Sequence, residues 1–381
     1  MKIGYSATIW DDSRSGIGTY IAGQLACLAQ RNDVDVRPLE FGGCVLARGE
    51  SPRTSGAQAG VQNKIRPLKD IWWHRHTLRA VAAREKFDIV HVPTIRRLPG
   101  RLPCGSVVTV HDLGPVRLGK KYGMLRGFYH QRIVPKWLRG IDAIVTPSQN
   151  TKNDLVDFYQ VDLSKITVVP NGVNHTFYHP GDVSESEAII AKAFNVKPPF
   201  FVYVSRLEHP AKNHVRLLEA FARFKEQQRT PHKLVLAGAP WNGHEIIKAA
   251  AAPLVARGDV VFADFVPRDL LPHLLRAAEA LVYPSLFEGF GIPIIEAMAC
   301  GTPVACSGTS SLKEIAEGHG LLFDPLDVPA ITDALTRIAT DSALREKLRR
   351  EGPAYAKQFT WERSVEETIA VWKKVAAQRA L

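Results

Sequence analysis

Short apolar runs alternate with amphipathic stretches of helical period along the whole chain. The apolar runs have the length and composition of buried strands. In the first half they lie at 2–9, 33–41, 87–93, 106–112, 142–148 and 165–173, and in the second half at 200–206, 233–240, 259–266, 280–285, 303–307 and 320–325. Strands that alternate with helices twice over predict an α/β protein with two doubly wound, parallel-sheet (Rossmann-like) domains.

The segment 179–199 separates the two series and changes the composition of the chain. It is polar at first and then rich in proline, so we interpret it as the linker between domains 1–180 and 181–361. In doubly wound sheets, ligands bind beyond the carboxyl ends of the strands. The residues that follow each predicted strand are therefore the candidate functional residues.

The charge of the chain narrows the classes of partner. The 49 Lys and Arg against 38 Asp and Glu give a formal net charge of +11, which suits nucleic acid, an acidic membrane surface or a phosphorylated small molecule. The basic residues are spread along the chain without interleaved aromatics, and this pattern disfavours a nucleic-acid or polyanion binder.

Cysteine spacing and hydropathy indicate the compartment. Five cysteines lie without paired or metal-ligand spacing, as is usual in reduced proteins. The chain starts with a strand-like segment instead of a signal peptide, and no apolar run reaches the roughly 18 residues of a membrane span. We expect a cytoplasmic protein that is at most bound to the surface of the membrane.

Two cations follow the first strand of the second half, in "SRLEHPAKNH" (205–214). The predicted strand ends at Ser205, and Arg206 and Lys212 lie in a loop that leads into a helix. An Arg fork, a Lys ammonium and the free N–H groups of a helix N-terminus together suit a diphosphate. The alternative is a pair of solvated loop cations.

Two further strand ends in the first half carry weaker candidates. "SGIGTY" (15–20) opens the first helix, and Gly16 and Gly18 would let a phosphate or sugar approach the backbone. A plain turn explains these glycines equally well, since Ile21 stands where a dinucleotide fingerprint has its third glycine. His111 ends the strand "VVTVHD" and could bond a substrate hydroxyl or handle a proton; a structural histidine is the alternative.

The stretch "YPSLFEGFGIPIIEAMACGTPV" (283–304) holds two carboxylates in apolar surroundings. Glu288 falls in a glycine-rich loop, and Glu296 falls in the first turns of a helix that Pro293 begins. Two separated carboxylates can each bond sugar hydroxyls. A hydrolase pair of nucleophile and general acid is the rival interpretation, and a capping or solvated pair is the third.

Taken together, these motifs resemble the retaining nucleotide-sugar glycosyltransferases of family 4, which have the GT-B fold. The resemblance covers nearly the whole chain and is strongest over 283–304 and 310–327. "SRLEHPAKNH", "SGIGTY", "VTVHD", "TPSQNTKNDL" and "VPNGV" follow the order and spacing of the family. In their detailed residues, these motifs are most similar to those of the bacterial mannosyltransferases that build O-antigen and other surface polysaccharides. The resemblance implies that the two domains face a central cleft.

The resemblance also implies a role for the candidates of the second half. Arg206 and Lys212, beside Ser205, would bind the donor diphosphate and stabilise the departing nucleotide. Glu296 would accept hydrogen bonds from the ribose, and Glu288 would lie near the transferred sugar. The loop after Arg206 departs from the shorter family forms that have Gly after the Lys, so its shape is not fixed by the resemblance.

The remaining roles follow in the same way. Gly16 and Gly18 would close over the diphosphate from the first domain, and His111 would touch the donor sugar and the reacting centre. The final helix, 362–381, would pack back on the first domain. The backbone around three residues would contact sugar and phosphate: Phe290, Gly291 and Ile292.

The implied reaction is the transfer of a hexose with retention of configuration. Fixed cations would carry the charge of the leaving diphosphate, so no metal and no cofactor beyond the donor is expected. The leaving phosphate would help deprotonate the acceptor; a covalent intermediate on Glu288 is the less favoured route. We expect GDP-mannose as donor, with UDP-sugars as the alternative, and a glycan or polyprenyl-diphosphate-linked acceptor. A phosphorylase or epimerase of the same fold is the further alternative.

The segment 66–86 suggests a use for the positive charge. It combines Trp72, Trp73 and Leu78 with four basic residues: Lys69, Arg75, Arg79 and Arg84. This composition predicts a patch that meets an anionic membrane and lets the enzyme reach a lipid-linked acceptor. The alternative is an ordinary helix with two aromatic core residues.

Overall fold

The computed structural model divides the chain into two compact units. The structure describes residues 1–10, 15–40, 42, 44–50, 52, 66–118 and 127–380. The first unit comprises Met1–Gly172 and Phe359–Leu381, and the second comprises Val173–Gln358. The second unit thus begins at Val173 instead of residue 181.

In its described residues, the first unit contains a six-stranded parallel sheet of order β2-β1-β3-β4-β5-β6. Its strands are β1 (Lys2–Ser6), β2 (Asp35–Leu39), β3 (Ile89–Val92), β4 (Gly105–Thr109), β5 (Ala143–Thr146) and β6 (Ile166–Val168). Its α-helices are α1 (Gly16–Ala29), α2 (Arg66–Trp72), α3 (Leu78–Glu85), α4 (Gly114–Arg117), α5 (Val134–Leu138) and α6 (Gln149–Tyr159). Two π-helical turns, Trp73–Thr77 and Tyr129–Ile133, interrupt the helices.

The C-terminal helix α15 (Trp361–Ala380) belongs to the core of the first unit. Trp372 is fully buried, and its indole N–H donates to Nδ1 of His91 on β3 at 3.2 Å. Trp361 packs on α1, where a Cβ at Gly23 would meet the indole ring at 2.2 Å. The burial of these aromatic side chains supplies a large hydrophobic contribution and ties the end of the chain to the first sheet.

The second unit contains a six-stranded parallel sheet of order β12-β11-β10-β7-β8-β9 in its described residues. Its strands are β7 (Phe200–Val204), β8 (Lys233–Ala237), β9 (Val260–Asp264), β10 (Ala280–Tyr283), β11 (Val304–Ser307) and β12 (Leu321–Phe323). Its α-helices are α7 (Val183–Phe194), α8 (His214–Gln228), α9 (His244–Ala256), α10 (Leu271–Ala277), α11 (Ile292–Ala299), α12 (Ser310–Ala316), α13 (Val328–Thr340) and α14 (Ser342–Ala356). The α/β class with two doubly wound parallel sheets is confirmed.

The interpretation of 179–199 as a linker is wrong, because most of this segment forms helix α7. Asp182 caps the helix by accepting a hydrogen bond from the amide of Glu185 at 3.1 Å, as N-cap carboxylates commonly do. Ile190 is fully buried, and α7 packs against α10 within the second unit. The polar composition of the segment reflects the solvent face of this helix.

Among the helices formed by the described residues, none combines the length and the apolar character that crossing a bilayer requires.

Candidate active site at the strand ends

Arg206 and Ser205 follow directly after β7, at the carboxyl end of the second sheet. The guanidinium of Arg206 lies over the ring of Trp241, 4.7 Å from its centroid, and 3.7 Å from a carboxylate oxygen of Glu208. Ser205 Oγ donates to the Arg206 carbonyl at 3.3 Å. The stacking orients a guanidinium whose side chain remains about two-fifths exposed, and an exposed, oriented guanidinium is well suited to bind an anion.

Lys212 and Glu288 form a close ion pair. Nζ of Lys212 donates to Oε1 of Glu288 at 2.5 Å, and both side chains are largely buried. Lys212 follows β7 and Glu288 follows β10, which are neighbouring strands of the sheet. The pair therefore joins two loops at the carboxyl end of the sheet, which is where ligands of doubly wound sheets bind.

The loop after Glu288 is shaped by serine hydroxyls from α12. The amide of Glu288 donates to Ser310 Oγ at 3.2 Å, and Ser311 Oγ–H lies 2.9 Å from the carbonyl of Glu288 and 3.1 Å from that of Phe290. Gly291 has φ +104, a left-handed conformation that favours glycine. A Cβ there would also meet a terminal methyl group of Leu312 at 2.7 Å, so that side chain would have to shift.

Helix α11 begins at Ile292 directly after this loop, with Gly291 as its N-cap residue. Pro293 occupies the first turn, where its missing N–H costs nothing. Phe290 is buried, whereas Ile292 is partly exposed. The strand–loop–helix arrangement predicted for 283–304 is confirmed. It places the N-terminus of α11, with its backbone amides, at the carboxyl end of β10.

Glu296 lies in a different environment from Glu288. It lies inside α11, its residue surface is 7% exposed, and burial raises the pKa of its carboxyl group to about 7. The Tyr178 hydroxyl and the Arg268 guanidinium oppose that rise in part. A buried carboxylate with a perturbed pKa at a strand-end site is typical of functional groups.

The two glutamates consequently have different partners. Glu288 is paired with a lysine ammonium, whereas Glu296 interacts with a phenol and, at longer range, with a guanidinium. A nucleophile and a general acid would need to act on one bond from a shared position. The separate environments favour two different ligand contacts instead.

His111 lies in the first unit, just beyond β4. Nε2 is 3.1 Å from the carbonyl of Pro93, which can only accept, so Nε2 carries the proton and Nδ1 is the acceptor. Burial lowers the pKa of His111 to about 4, and the ring stands edge-on to Tyr20 at 4.8 Å. The imidazole is therefore neutral at physiological pH and offers a lone pair.

Gly16 and Gly18 stand in the first turn of α1. Ser15 is the N-cap residue, and its Oγ accepts the amide of Gly18 at 3.1 Å, so that amide already has a partner. Gly16 is exposed, and a Cβ built there would meet no atom within 4 Å. Of the two, Gly16 is the better placed to meet a ligand.

Three residues of this edge escaped sequence reasoning. Asn213, which follows Lys212 in the chain, is buried and has a φ of +58. Its position next to the lysine was the only sequence feature that pointed to it. Tyr178 reaches Glu296, although the two are distant in the chain and no local pattern links them. Trp241 stacks on Arg206, and only its position after β8 hinted at the contact.

The segment 66–86 is helical, and only one of its two tryptophans is exposed. Trp72 is 61% exposed and Leu68 is 67% exposed, whereas Trp73 is 5% exposed and belongs to the core. Leu78 is fully buried. The predicted patch is therefore wrong for Trp73 and Leu78, since both side chains point into the unit.

Comparison with known proteins places the chain in a family. A model described as "Glycosyl transferases group 1" matches residues 184–355, and one described as "Glycosyltransferase Family 4" matches residues 14–177. The fold and the family matches together define a glycosyltransferase built from two Rossmann-like units. The chain belongs to the family 4 glycosyltransferases and is an enzyme of this class.

Individual relatives agree with this assignment. The O-antigen chain mannosyltransferase B of Escherichia coli is 30% identical over 295 residues, which cover 77% of each chain. A D-inositol 3-phosphate glycosyltransferase of Kribbella flavida is 32% identical and covers 84% of this chain and 79% of its own. The structure of sucrose-phosphate synthase from Thermosynechococcus elongatus superposes with a TM-score of 0.81 at 20% identity, over 99% of this chain and 100% of the other. The last similarity supports the GT-B fold alone.

Proposed function

We propose that the protein transfers mannose from GDP-mannose, with retention of configuration, to a glycan or polyprenyl-diphosphate-linked acceptor during surface polysaccharide synthesis. The observation that carries the proposal is the arrangement of Arg206, Lys212 and Glu288 at the ends of β7 and β10. The similarity to an O-antigen mannosyltransferase supports the choice of sugar.

The leaving group of such a reaction is a nucleoside diphosphate, whose charge grows as the glycosidic bond breaks. Lys212 is largely buried, so its charge acts in a medium of lower dielectric than water. Arg206 adds a bidentate fork that its stacking on Trp241 orients. In this proposal the two cations stabilise the departing diphosphate without reorganising during the reaction.

The carboxylates and His111 bind the organic parts of the donor. Glu296 accepts hydrogen bonds from the ribose hydroxyls, and its raised pKa makes this acceptance stronger above pH 7. Glu288 keeps one oxygen on Lys212 and offers the other to the transferred sugar. Nδ1 of the neutral His111 accepts a sugar hydroxyl.

The transfer reaction tests the proposal directly. The protein is incubated with a polyprenyl-diphosphate-linked oligosaccharide and, in parallel, GDP-mannose, UDP-glucose or UDP-galactose, and products are identified by mass spectrometry. The expected result is a mass increase of one hexose with GDP-mannose and an α-linkage by NMR. Transfer from a UDP-sugar alone would replace the donor assignment, and an inverted linkage would overturn retention.

The lipid-linked acceptor requires the enzyme to work at the cytoplasmic face of a membrane. Leu68 and Trp72 present exposed apolar surface beside Lys69, which is also exposed. We propose that this surface inserts into the interface of an anionic bilayer, with the lysine meeting lipid phosphates.

Co-sedimentation with vesicles tests the membrane contact. Binding is expected to vesicles that contain phosphatidylglycerol and to fall in Trp72→Ala. The matched control is Trp241→Ala, which removes an exposed tryptophan of the second unit (48% exposed) and should leave sedimentation unchanged. Equal binding by wild type and Trp72→Ala would overturn this part of the proposal.

A further inference from the structure

Asn213 follows the diphosphate-binding lysine in an unusual backbone conformation. It has φ +58 and ψ +27, forms the N-cap of α8 and is 2% exposed. Asparagine is one of the few residues other than glycine that tolerate this left-handed region. Glycine would satisfy the backbone alone, so the buried amide side chain needs a separate explanation.

The amide of Asn213 connects three strand-end loops. Nδ2 donates to the carbonyl of Pro284, which follows β10, at 3.1 Å and to the carbonyl of Pro325, which follows β12, at 2.7 Å. Oδ1 accepts from the guanidinium of Arg216 at 3.0 Å. Both N–H groups and the oxygen of the side chain are thus used, which gives the amide one fixed orientation.

The backbone of Lys212 is held from both sides. Its carbonyl accepts the Tyr203 hydroxyl at 2.8 Å, and its amide donates to the carbonyl of Glu208 at 3.2 Å. Asn213 adds the connection to Pro284, four residues before Glu288 in the loop that supplies the partner of the lysine. The Leu286 amide and Ser285 Oγ also donate to the carbonyl of Ala211, at 2.9 and 3.4 Å. The Asn213 amide therefore adds to these contacts the bond that lies directly beside Lys212.

We propose that Asn213 is a positioning residue that places the Lys212 ammonium at the donor diphosphate by clamping the β7 loop to the β10 loop. The inference rests on the proposed function of Lys212. A clamp of this kind matters because the cation stabilises a transition state, and misplacement by a fraction of an ångström to 1 Å lowers turnover.

Asn213→Gly isolates the side chain, since glycine keeps the left-handed backbone without strain. The expected result is a fall in kcat of about tenfold or more with a smaller change in KM for the donor. The matched control is Asn195→Gly, because Asn195 also has a positive φ (+53) but is exposed at the end of α7. The control is expected to keep wild-type kcat.

A double-mutant cycle with Lys212→Ala separates positioning from general stability. If Asn213 acts through Lys212, adding Asn213→Gly to Lys212→Ala should lower kcat by less than about twofold further. A residue that merely stabilises the unit would give the same fold-loss in both backgrounds. Equal losses would overturn the proposal.

Hydrogen exchange in the absence of ligand tests the clamp independently of the reaction. Asn213→Gly is expected to speed amide exchange in both 206–212 and 285–290, whereas Asn195→Gly is not. Unchanged exchange in these loops would overturn the clamp. If wild type binds no nucleotide, the proposed function fails, and the exchange result still decides whether the clamp exists.

Discussion

Glu296→Gln removes a buried carboxylate whose ionisation costs the native protein free energy. The pKa of Glu296 rises from an ordinary value of 4.5 to about 7 in the native protein. The native state therefore holds this proton more tightly than the unfolded chain, and stability is lost as the pH rises from about 4.5 through 7. A shift of this size amounts to roughly 3 kcal/mol at pH 8. Glutamine keeps the shape and carries no charge, so it escapes this loss.

Thermal unfolding at two pH values measures the effect. For a unit of about 190 residues, 1 kcal/mol moves the Tm by about 2–4 °C, so the variant should melt roughly 6–12 °C above wild type at pH 8 and close to wild type at pH 5. Glu219→Gln is the control, because Glu219 is exposed on α8, and it should show no pH-dependent difference.

The same substitution should weaken GDP binding. Replacing a charged acceptor of the ribose hydroxyls by a neutral amide costs about 1.5–3 kcal/mol, or a loss in affinity of roughly 10- to 100-fold. Titration calorimetry of wild type should show affinity that rises between pH 6 and pH 8, and the variant should lack this rise. A variant that is no more stable at pH 8, or that binds GDP as tightly as wild type, would refute the reasoning.

Three further predictions concern other side chains. Lys212→Ala should lower kcat by about 100- to 1000-fold with a smaller change in donor KM, as measured by steady-state kinetics. His111→Gln should lower kcat/KM by about tenfold, and the ratio of wild type to variant should stay constant from pH 6 to pH 9, because a pKa of about 4 keeps the imidazole neutral. Trp73→Ala should cost about 3–5 kcal/mol in denaturant unfolding because Trp73 is buried, whereas Trp72→Ala should cost about 0.5 kcal/mol or less.

Contrary outcomes are equally specific. A loss of donor affinity in Lys212→Ala with unchanged kcat would assign that lysine to ground-state binding. A wild-type to variant ratio for His111 that changes near pH 6.5 would show that its imidazole titrates in the working range. Similar stability losses at Trp72 and Trp73 would contradict the burial difference.

The sequence was sufficient to predict the sheets and the strand ends. Parallel strands buried on both faces appear as continuous apolar runs, and the run 280–285 contains the observed strand Ala280–Tyr283. The loop and helix of 283–304 were also predictable, since Gly291 and Pro293 have strong local preferences. These features depend on neighbours along the chain.

Contacts between distant residues were not predictable in the same way. Helix α7 was missed because its polar solvent face dominates the composition of the segment, although Ser186 and Ile190 on its other face are buried. The amide bonds from Asn213 to Pro284 and Pro325 and the approach of Tyr178 to Glu296 join loops that are far apart in sequence. Their existence depends on the register of the completed sheet.

Binding of nucleoside diphosphates tests the central claim most directly. Calorimetric titration of the full chain with GDP and with UDP, in the absence of added metal, should give one saturable site that prefers GDP. The same titration of a variant lacking both Arg206 and Lys212 should give no measurable binding at equal concentrations. Absence of binding by wild type to either nucleotide, or undiminished binding by the double variant, would contradict the assignment of this edge of the second unit as the donor site.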